Sequence, residues 1–576
     1  MNTSIRYLSL GLLAVFLSTV GFAAEMNDAV FKAMQDEMDR SVKKLVIENM
    51  SRPYFISYRV EDQSELTIEA RYGGLVKSQR SVDRYLYTDL RVGDSTLDNT
   101  NYVGDWGDLY RMREDLAEED DYAALRHEIW LATDKAYKNA LENLARKKSY
   151  LQTHPARESL NDFAAAEHDN VTEPAAPLPV DATAWERTVK AASEALRAYP
   201  ALQDWKVTYR ATTKNKRFVN SEGARNRRGL LIQAIEVSAT AQAADGQRLT
   251  AFRQFVTRDG ENPPQGEELA RAVGKMAEDL RDEAAAPVLD EYSGPVLFSD
   301  YASAQLISQL FAGQLTLSRD ILTPEDWMSQ YLPKGKLADR VNRRVFPDFV
   351  TVTDDPTMTT DAKGHRLLGT QTVDDEGVQS RAITLVKDGR LITLPSTRQP
   401  TKKVPKSNGH AHTYMNQWTL PAVTNLTVKS SKPLASAQMI EKLRQLARDS
   451  GNEYGLLITL LEDTRISDEY SWMEPSQSKP KLLASPIIVF KVYAKDGRME
   501  PVRGLDFDDV TIRSLRDVAA MGKDEQLYSI EQATIMPRIY YPVSILTPAI
   551  LIEEMELKSN PVQEPKPLSA NPLFEK

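Results

Sequence analysis

Gly294-Pro-Val-Leu-Phe-Ser-Asp-Tyr-Ala-Ser-Ala-Gln-Leu-Ile-Ser-Gln-Leu-Phe-Ala-Gly313 is the stretch on which the reading of this chain turns. Pro295 to Phe298 is a short apolar run suited to a buried strand, and from Ala302 onward apolar residues recur at helical spacing. Downstream, Phe349 to Thr353 reads as a strand ending at Asp355-Pro356. Ala382 to Val386 and Leu391 to Leu394 flank Lys387-Asp-Gly-Arg390, a hairpin signal. Leu456 to Leu461 and Ile487 to Tyr493 are further strands, the second turning at Asp496-Gly497. Upstream, Asn27 to Asn49 predicts an amphipathic helix. Tyr54, Ile56, Tyr58 and Val60 share one face of a strand, and Leu66, Ile68 and Ala70 share one face of a second. Leu86 to Val92 alternates as a third. The period then changes, and Leu125, Ile129, Ala132, Ala136, Ala140 and Leu144 mark a long helix over 121–151. A second helix-then-sheet block follows: a helix over 184–199, strands around Trp205 and Leu231, and a charged helix over 267–286. Strands joined by hairpins with helices grouped between them predict an α+β fold, two domains rich in antiparallel sheet with flanking helices.

At 576 residues the chain exceeds one compact core. The expected division is a leader over 1–23, an N-terminal α+β domain over 24–290 with a helical insertion over about 121–183, a C-terminal domain over 291–557 and a Pro-rich tail over 558–576. The leader follows from a positively charged start, the apolar run Tyr7 to Val20 and small residues at Gly21 and Ala23, a signal-peptide pattern that predicts export to the periplasm. No second run approaches the length of about 20 residues needed to span a membrane, so no stable span is expected after cleavage. Cysteine is absent, which excludes disulfides and thiolate chemistry. A net charge of −10 argues against a nucleic-acid partner. The basic clusters Arg225/Arg227/Arg228 and Lys402/Lys403/Lys406 are expected to be solvated turns or sheet edges.

Five landmarks occur in order: Asn220-Ser-Glu-Gly223, Gly294-Pro-Val-Leu-Phe298, Asp374-Asp-Glu-Gly-Val378, Ser407-Asn-Gly-His410, and Val492 to Gly504. Together they resemble the TldD/PmbA family of metallopeptidase-related proteins. In active members the helix after the short strand carries His-Glu-x-x-x-His, and a cysteine near the C-terminus completes the zinc site. The resemblance places Ser308, Gln309 and Gly313 at those helix positions. A serine hydroxyl is a poor neutral ligand, glutamine accepts no proton at neutral pH and glycine has no side chain. The resemblance therefore implies an exported, metal-site-deficient subunit, without a cofactor, that handles peptide or an unfolded protein segment. It implies assembly as a homodimer or as a heterodimer with a TldD-like zinc-bearing subunit. Asn408, Gly409 and His410 are the expected peptide contacts.

Two rival readings stand beside this one. An active metallopeptidase with a rearranged zinc site would draw on His410 and His412, which strand alternation points to one side, and on Asp374, Asp375 and Glu376, with His365 as a further donor. A non-enzymatic binding or scaffold protein on an inherited fold is the other. His127-Glu128 lacks a second histidine at metal-binding spacing and is expected to be an exposed helix pair. The chain has no Gly-x-Ser-x-Gly elbow, no phosphate-binding loop and no dinucleotide fingerprint.

Overall fold

The computed structural model describes residues 28–109, 113–154, 159–325, 327–328, 334–413, 418–463, 481–533 and 540–559. The expected leader and nearly all of the Pro-rich tail lie outside these residues.

Strand β1 (Pro53–Arg71) organises the N-terminal half. The two strands expected over this stretch are one continuous strand, about 60 Å long at the usual rise per residue. Its even-numbered residues Ile56, Tyr58, Val60, Leu66, Ile68 and Ala70 are all buried on one face. β1 turns through Tyr72 and Gly73, both at positive φ, into β2 (Gly74–Val92). With β3 (Leu202–Asn220), β4 (Arg225–Gln242) and β5 (Arg248–Arg258) these form an antiparallel sheet in the order β2-β1-β3-β4-β5. Helices α1 (Ala29–Lys44) and α2 (Tyr122–Thr153) cover one end of its even face, and α3 (Ala182–Ala195) and α4 (Gly266–Ala285) the other. The first three helices start where Asp28, Asp121 and Asp181 accept a backbone N–H three residues on. Helix α2 belongs to the core shared with β1 and β2, through Leu125, Ile129, Ala140 and Leu144.

Beyond Ala286 the described residues build two larger sheets and a two-stranded ribbon. Strands β6 (Glu291–Phe298), β7 (Val350–Asp354), β8 (Ile383–Lys387) and the short β9 (Ala411–Thr413) and β10 (Thr419–Pro421) precede β11 (Asn425–Ser430). Helix α5 (Asp300–Leu306) follows β6, and α6 (Ser436–Asp449) follows β11. Then come β12 (Tyr454–Leu461), β13 (Pro486–Tyr493), β14 (Gln526–Ala533), β15 (Tyr540–Thr547) and β16 (Ile550–Ser559). The orders are β13-β12-β6-β16 and β8-β7-β11-β15-β14, antiparallel except at β6/β12 and β11/β15. Phe298, Leu310, Phe311, Val352, Leu426, Ile458 and Ile545 share one core, and α6 packs outside the first sheet through Met439 and Leu443. The Lys387-Asp-Gly-Arg390 hairpin is present, with Asp388 and Gly389 at positive φ, but its returning strand is only Arg390–Leu391 rather than the expected run to Leu394. No helix among the described residues is long and apolar enough to cross a membrane.

Candidate functional site

The odd-numbered face of β1 faces the C-terminal half, so that β1 is buried continuously from Phe55 to Glu61. Register places Tyr87, Arg59 and Phe218 side by side across β2, β1 and β3, with Glu61, Lys216 and Arg228 in the next row across β1, β3 and β4. This row corrects the expectation for the 225–228 cluster. Arg228 is 15% exposed and donates to Asp375, while Arg227 is buried and donates to the Glu173 carbonyl. Both sit on an inner strand, Arg228 covered by the C-terminal half and Arg227 buried on the opposite face against Asp28 and Glu173, a burial that local charge patterning does not reveal. Lys402, Lys403 and Lys406 are exposed as expected.

Asp375 is the point where the two halves lock. Its carboxylate accepts from Lys216 Nζ at 2.9 and 3.1 Å and from Arg228 Nη2 at 2.8 Å. The Thr413 N–H donates to it at 3.0 Å, and Arg59 Nη1 stands 3.3 Å away. Burial alone would raise the carboxyl pKa, but Lys216, Arg59 and Arg228 outweigh it and hold Asp375 well below the usual range. His412 Nδ1 lies 3.5 Å from the same carboxylate. Burial, with the nearby Lys216 and Lys214, pushes this imidazole down to about 3, so it is neutral at pH 7. Asp374 and Glu376 behave oppositely. Burial raises both, to about 6 and about 8, and each carboxyl is held up further by the neighbouring acid. Asp374 closes its own turn by accepting the N–H groups of Glu376 and Val378, with Gly377 at φ +76°.

The 408–413 segment runs beside this turn. Asn408 is a fastener: its side chain accepts from Ser396 N and donates to the Leu394 carbonyl, both at 2.9 Å. Gly409 has φ +78°, and a Cβ there would lie 2.3 Å from the Gln379 carbonyl oxygen. His410 is buried. Its Nδ1–H donates to the Asn408 carbonyl at 3.0 Å, and its Nε2 stands 3.4 Å from the Asp354 carboxylate without a hydrogen bond. Strand β9 then hydrogen-bonds to Asp374 and Asp375 along one edge, through Ala411 N to Asp374 Oδ2, Thr413 N to Asp375 Oδ2 and Asp375 N to the Ala411 carbonyl. Its other edge pairs with β10.

Two cavities flank this ribbon. One, of about 730 Å³ including space open to solvent, is lined by Lys214, Lys216, Arg228, Arg258, His410 and His412 among others. The other, of about 1270 Å³ including space open to solvent, lies between β1/β2 and the C-terminal half. Its walls combine Arg59, Arg91 and Arg398 with Tyr87, Phe163 and Trp418, and Thr419 and Leu420 of β10 also line it. Sequence reasoning missed Arg59, Arg91, Lys216 and Arg398. For Arg59, Arg91 and Lys216 the only signal was a charged residue in the alternate phase of a strand, which ordinarily marks a solvent face, and Arg398 lies outside the strands.

The helix positions Ser308, Gln309 and Gly313 line neither cavity. Ser308 and Gln309 lie in a π-helical turn, Ile307–Phe311, that continues α5 inside the main core, and Gln309 Oε1 accepts from Ala484 N at 2.7 Å. The alternative ligand set His410, His412, Asp374, Asp375 and Glu376 does not fit a metal. Among the described residues no group of three or more His, Asp or Glu side chains is gathered to hold an ion. Asp375 is already neutralised by three cations, Asp374 is consumed by backbone N–H groups, and His410 turns toward Asp354. His365 is exposed and, among the described residues, its ring bonds to Asp361 of its own turn. His127 is exposed on α2, while Glu128 accepts from Ala117 N.

Residues 291–559 match the family described as the PmbA/TldA metallopeptidase C-terminal domain. The C-terminal half of the chain belongs to the TldD/PmbA family. The fold agrees over 92% of the chain with a candidate modulator of a DNA gyrase from Thermotoga maritima, at 13% identity, all of that chain and a TM-score of 0.59. It agrees over the same share with TldE from Thermococcus kodakarensis, at 12% identity, all of that chain and a TM-score of 0.58. A candidate modulator of DNA gyrase from Bacteroides thetaiotaomicron is similar at 12% identity, 98% of that chain and a TM-score of 0.57. These likenesses establish the mixed α+β architecture with antiparallel-rich sheets. No protein of curated function matches the chain by sequence.

Proposed function

We propose that this TldD/PmbA-family protein is an exported, metal-site-deficient subunit that holds an extended peptide in the larger interdomain cavity. It would work as a homodimer or beside a zinc-bearing homologue. The observation that carries this reading is the ribbon on the cavity wall. β9 and β10 form a sheet of only two strands, and the outer edge of β9 is taken by Asp374 and Asp375. The outer edge of β10 meets no further strand among the described residues. An extended peptide that adds to such an edge uses main-chain hydrogen bonds and needs no catalytic group. The aromatic and arginine side chains of the cavity supply apolar contact and acceptor-binding capacity for alternate peptide side chains. The helix positions of the family's zinc chemistry offer serine, glutamine and glycine, and the chain has no cysteine.

Elemental analysis of the purified protein, beside a His410→Ala/His412→Ala double variant checked for folding by circular dichroism, tests the metal side. Fluorescence anisotropy with a labelled extended peptide in the presence of chelator tests the binding side. The reading predicts peptide binding without stoichiometric metal and without cleavage. About one zinc per folded chain, lost in the double variant, would replace it with the rearranged-peptidase reading.

A further inference from the structure

Among the arginines that line the larger cavity, Arg59 differs in how its donors are used. Arg91 donates Nε to Asp89 and Nη1 to Asp98. Arg398 grips Glu222 with Nη1 and Nη2 and donates Nε to the Ala164 carbonyl. Arg59 is 4% exposed, and its contact with Asp375 is made through Nη1 alone. Its Nε and Nη2 are buried with no hydrogen-bond partner among the described residues. Buried charged donors are rarely left so.

These two nitrogens lie on the same edge of the guanidinium plane. Their N–H bonds run parallel, at the spacing of the two oxygens of a carboxylate. The plane is held in place: Asp375 fixes one end, and the Tyr87 ring centroid lies 4.0 Å from Cζ. The guanidinium borders the cavity as a fork whose conformational freedom is already lost, and because Nε and Nη2 are buried an acceptor reaches them only with a local movement of the cavity wall. The surroundings also select its charge. Asp89, Asp108 and Asp375 line the same cavity, so a doubly charged phosphate meets more repulsion than a singly charged planar carboxylate.

We propose that the Nε/Nη2 edge of Arg59 is a carboxylate anchor for the bound peptide, taking its C-terminal carboxylate or the side chain of an aspartate or glutamate. The proposal rests on the reading of the cavity as a peptide site. It adds a chemical preference that main-chain pairing alone lacks.

Three fluorescein-labelled heptapeptides of alanine and valine separate the possibilities: one with a free C-terminal carboxylate, its neutral carboxamide, and the carboxamide carrying one central glutamate. Anisotropy titrations on the full chain should show the free-carboxylate or the glutamate peptide binding about tenfold or more tightly than the neutral carboxamide. Whichever peptide is preferred identifies the source of the carboxylate. Arg59→Gln should abolish the preference while the weaker binding of the carboxamide persists. Arg59→Lys keeps a charge facing Asp375 but lacks the fork, so it should melt near the wild-type temperature and still lose most of the preference. Equal binding of all three peptides by the wild type would overturn the anchor and leave the peptide reading standing. A preference that survives in both variants would also overturn it. Absence of binding by any peptide would overturn the peptide reading and the anchor with it.

Discussion

Helix α5 with its π turn and the segment from Asp374 to Thr413 are both buried, but for opposite reasons. Around the helix, Ala302, Ala304, Leu306, Ile307, Leu310 and Phe311 fill the main core. The polar side chains there serve the backbone: Gln305 brackets Leu461, donating to its carbonyl at 2.9 Å and accepting from its N–H at 2.8 Å. The second segment buries charge. Asp375, Arg59, Lys216 and Arg228 have side-chain exposures of 2, 5, 17 and 15%. The helix is given over to packing, whereas the second segment gathers buried charge where the two halves meet. Groups with displaced pKa values, two cavities and an incomplete arginine lie together at that junction.

The contrast is broken most severely at Asp375. Asp375→Asn leaves three buried cations without their anion and should cost about 3–5 kcal/mol in urea unfolding. Because its folded pKa lies below the ordinary 3.8, the stabilisation from Asp375 is fully present above that pH and is lost only as pH falls through the depressed folded value. Leu310→Ala probes the packed helix and should cost about 2–5 kcal/mol, with no dependence on pH. Gly409→Ala, strained by positive φ and by the Gln379 carbonyl, should cost about 1–3 kcal/mol.

A finer test uses Glu376. Its folded pKa is raised from 4.5 to about 8, so its contribution is present below pH 4.5 and is lost as pH rises toward 8. Glu376→Gln should flatten thermal stability over that interval, and an unchanged slope would show that the junction does not hold this proton. His127→Ala on the exposed face of α2 should change stability by no more than about 0.5 kcal/mol.

Where one face of an element decides its structure, the sequence was informative. Leu66/Ile68/Ala70 and Trp205/Val207/Tyr209 alternate as strands, Asp388-Gly389 makes its hairpin turn, and the apolar residues of 122–153 recur on one side of a long helix. Helix α6 was overlooked although Met439, Leu443 and Ala447 give it a buried stripe, so the signal was available. The junction was not legible in the same way. Glu61, Lys216 and Arg228 occupy the alternate phase of strands whose other face is apolar, a pattern that also describes a solvent face. Only the docking of Asp375, 159 residues from Lys216 along the chain, converts it to an interior. For the same reason Asp374, Asp375 and Glu376 read as prospective ligands, whereas the fold uses Asp374 to close a turn and Asp375 to join the two halves of the chain.

The most direct test of the central claim is hydrogen–deuterium exchange of chelator-treated protein with and without a saturating extended peptide. The account predicts added protection in Ala411–Thr413, Thr419–Pro421 and the cavity-facing part of β1 and β2, with exchange in α5 and its π turn unchanged. Protection centred on α5 instead, or protection at the junction that requires added zinc, would contradict it.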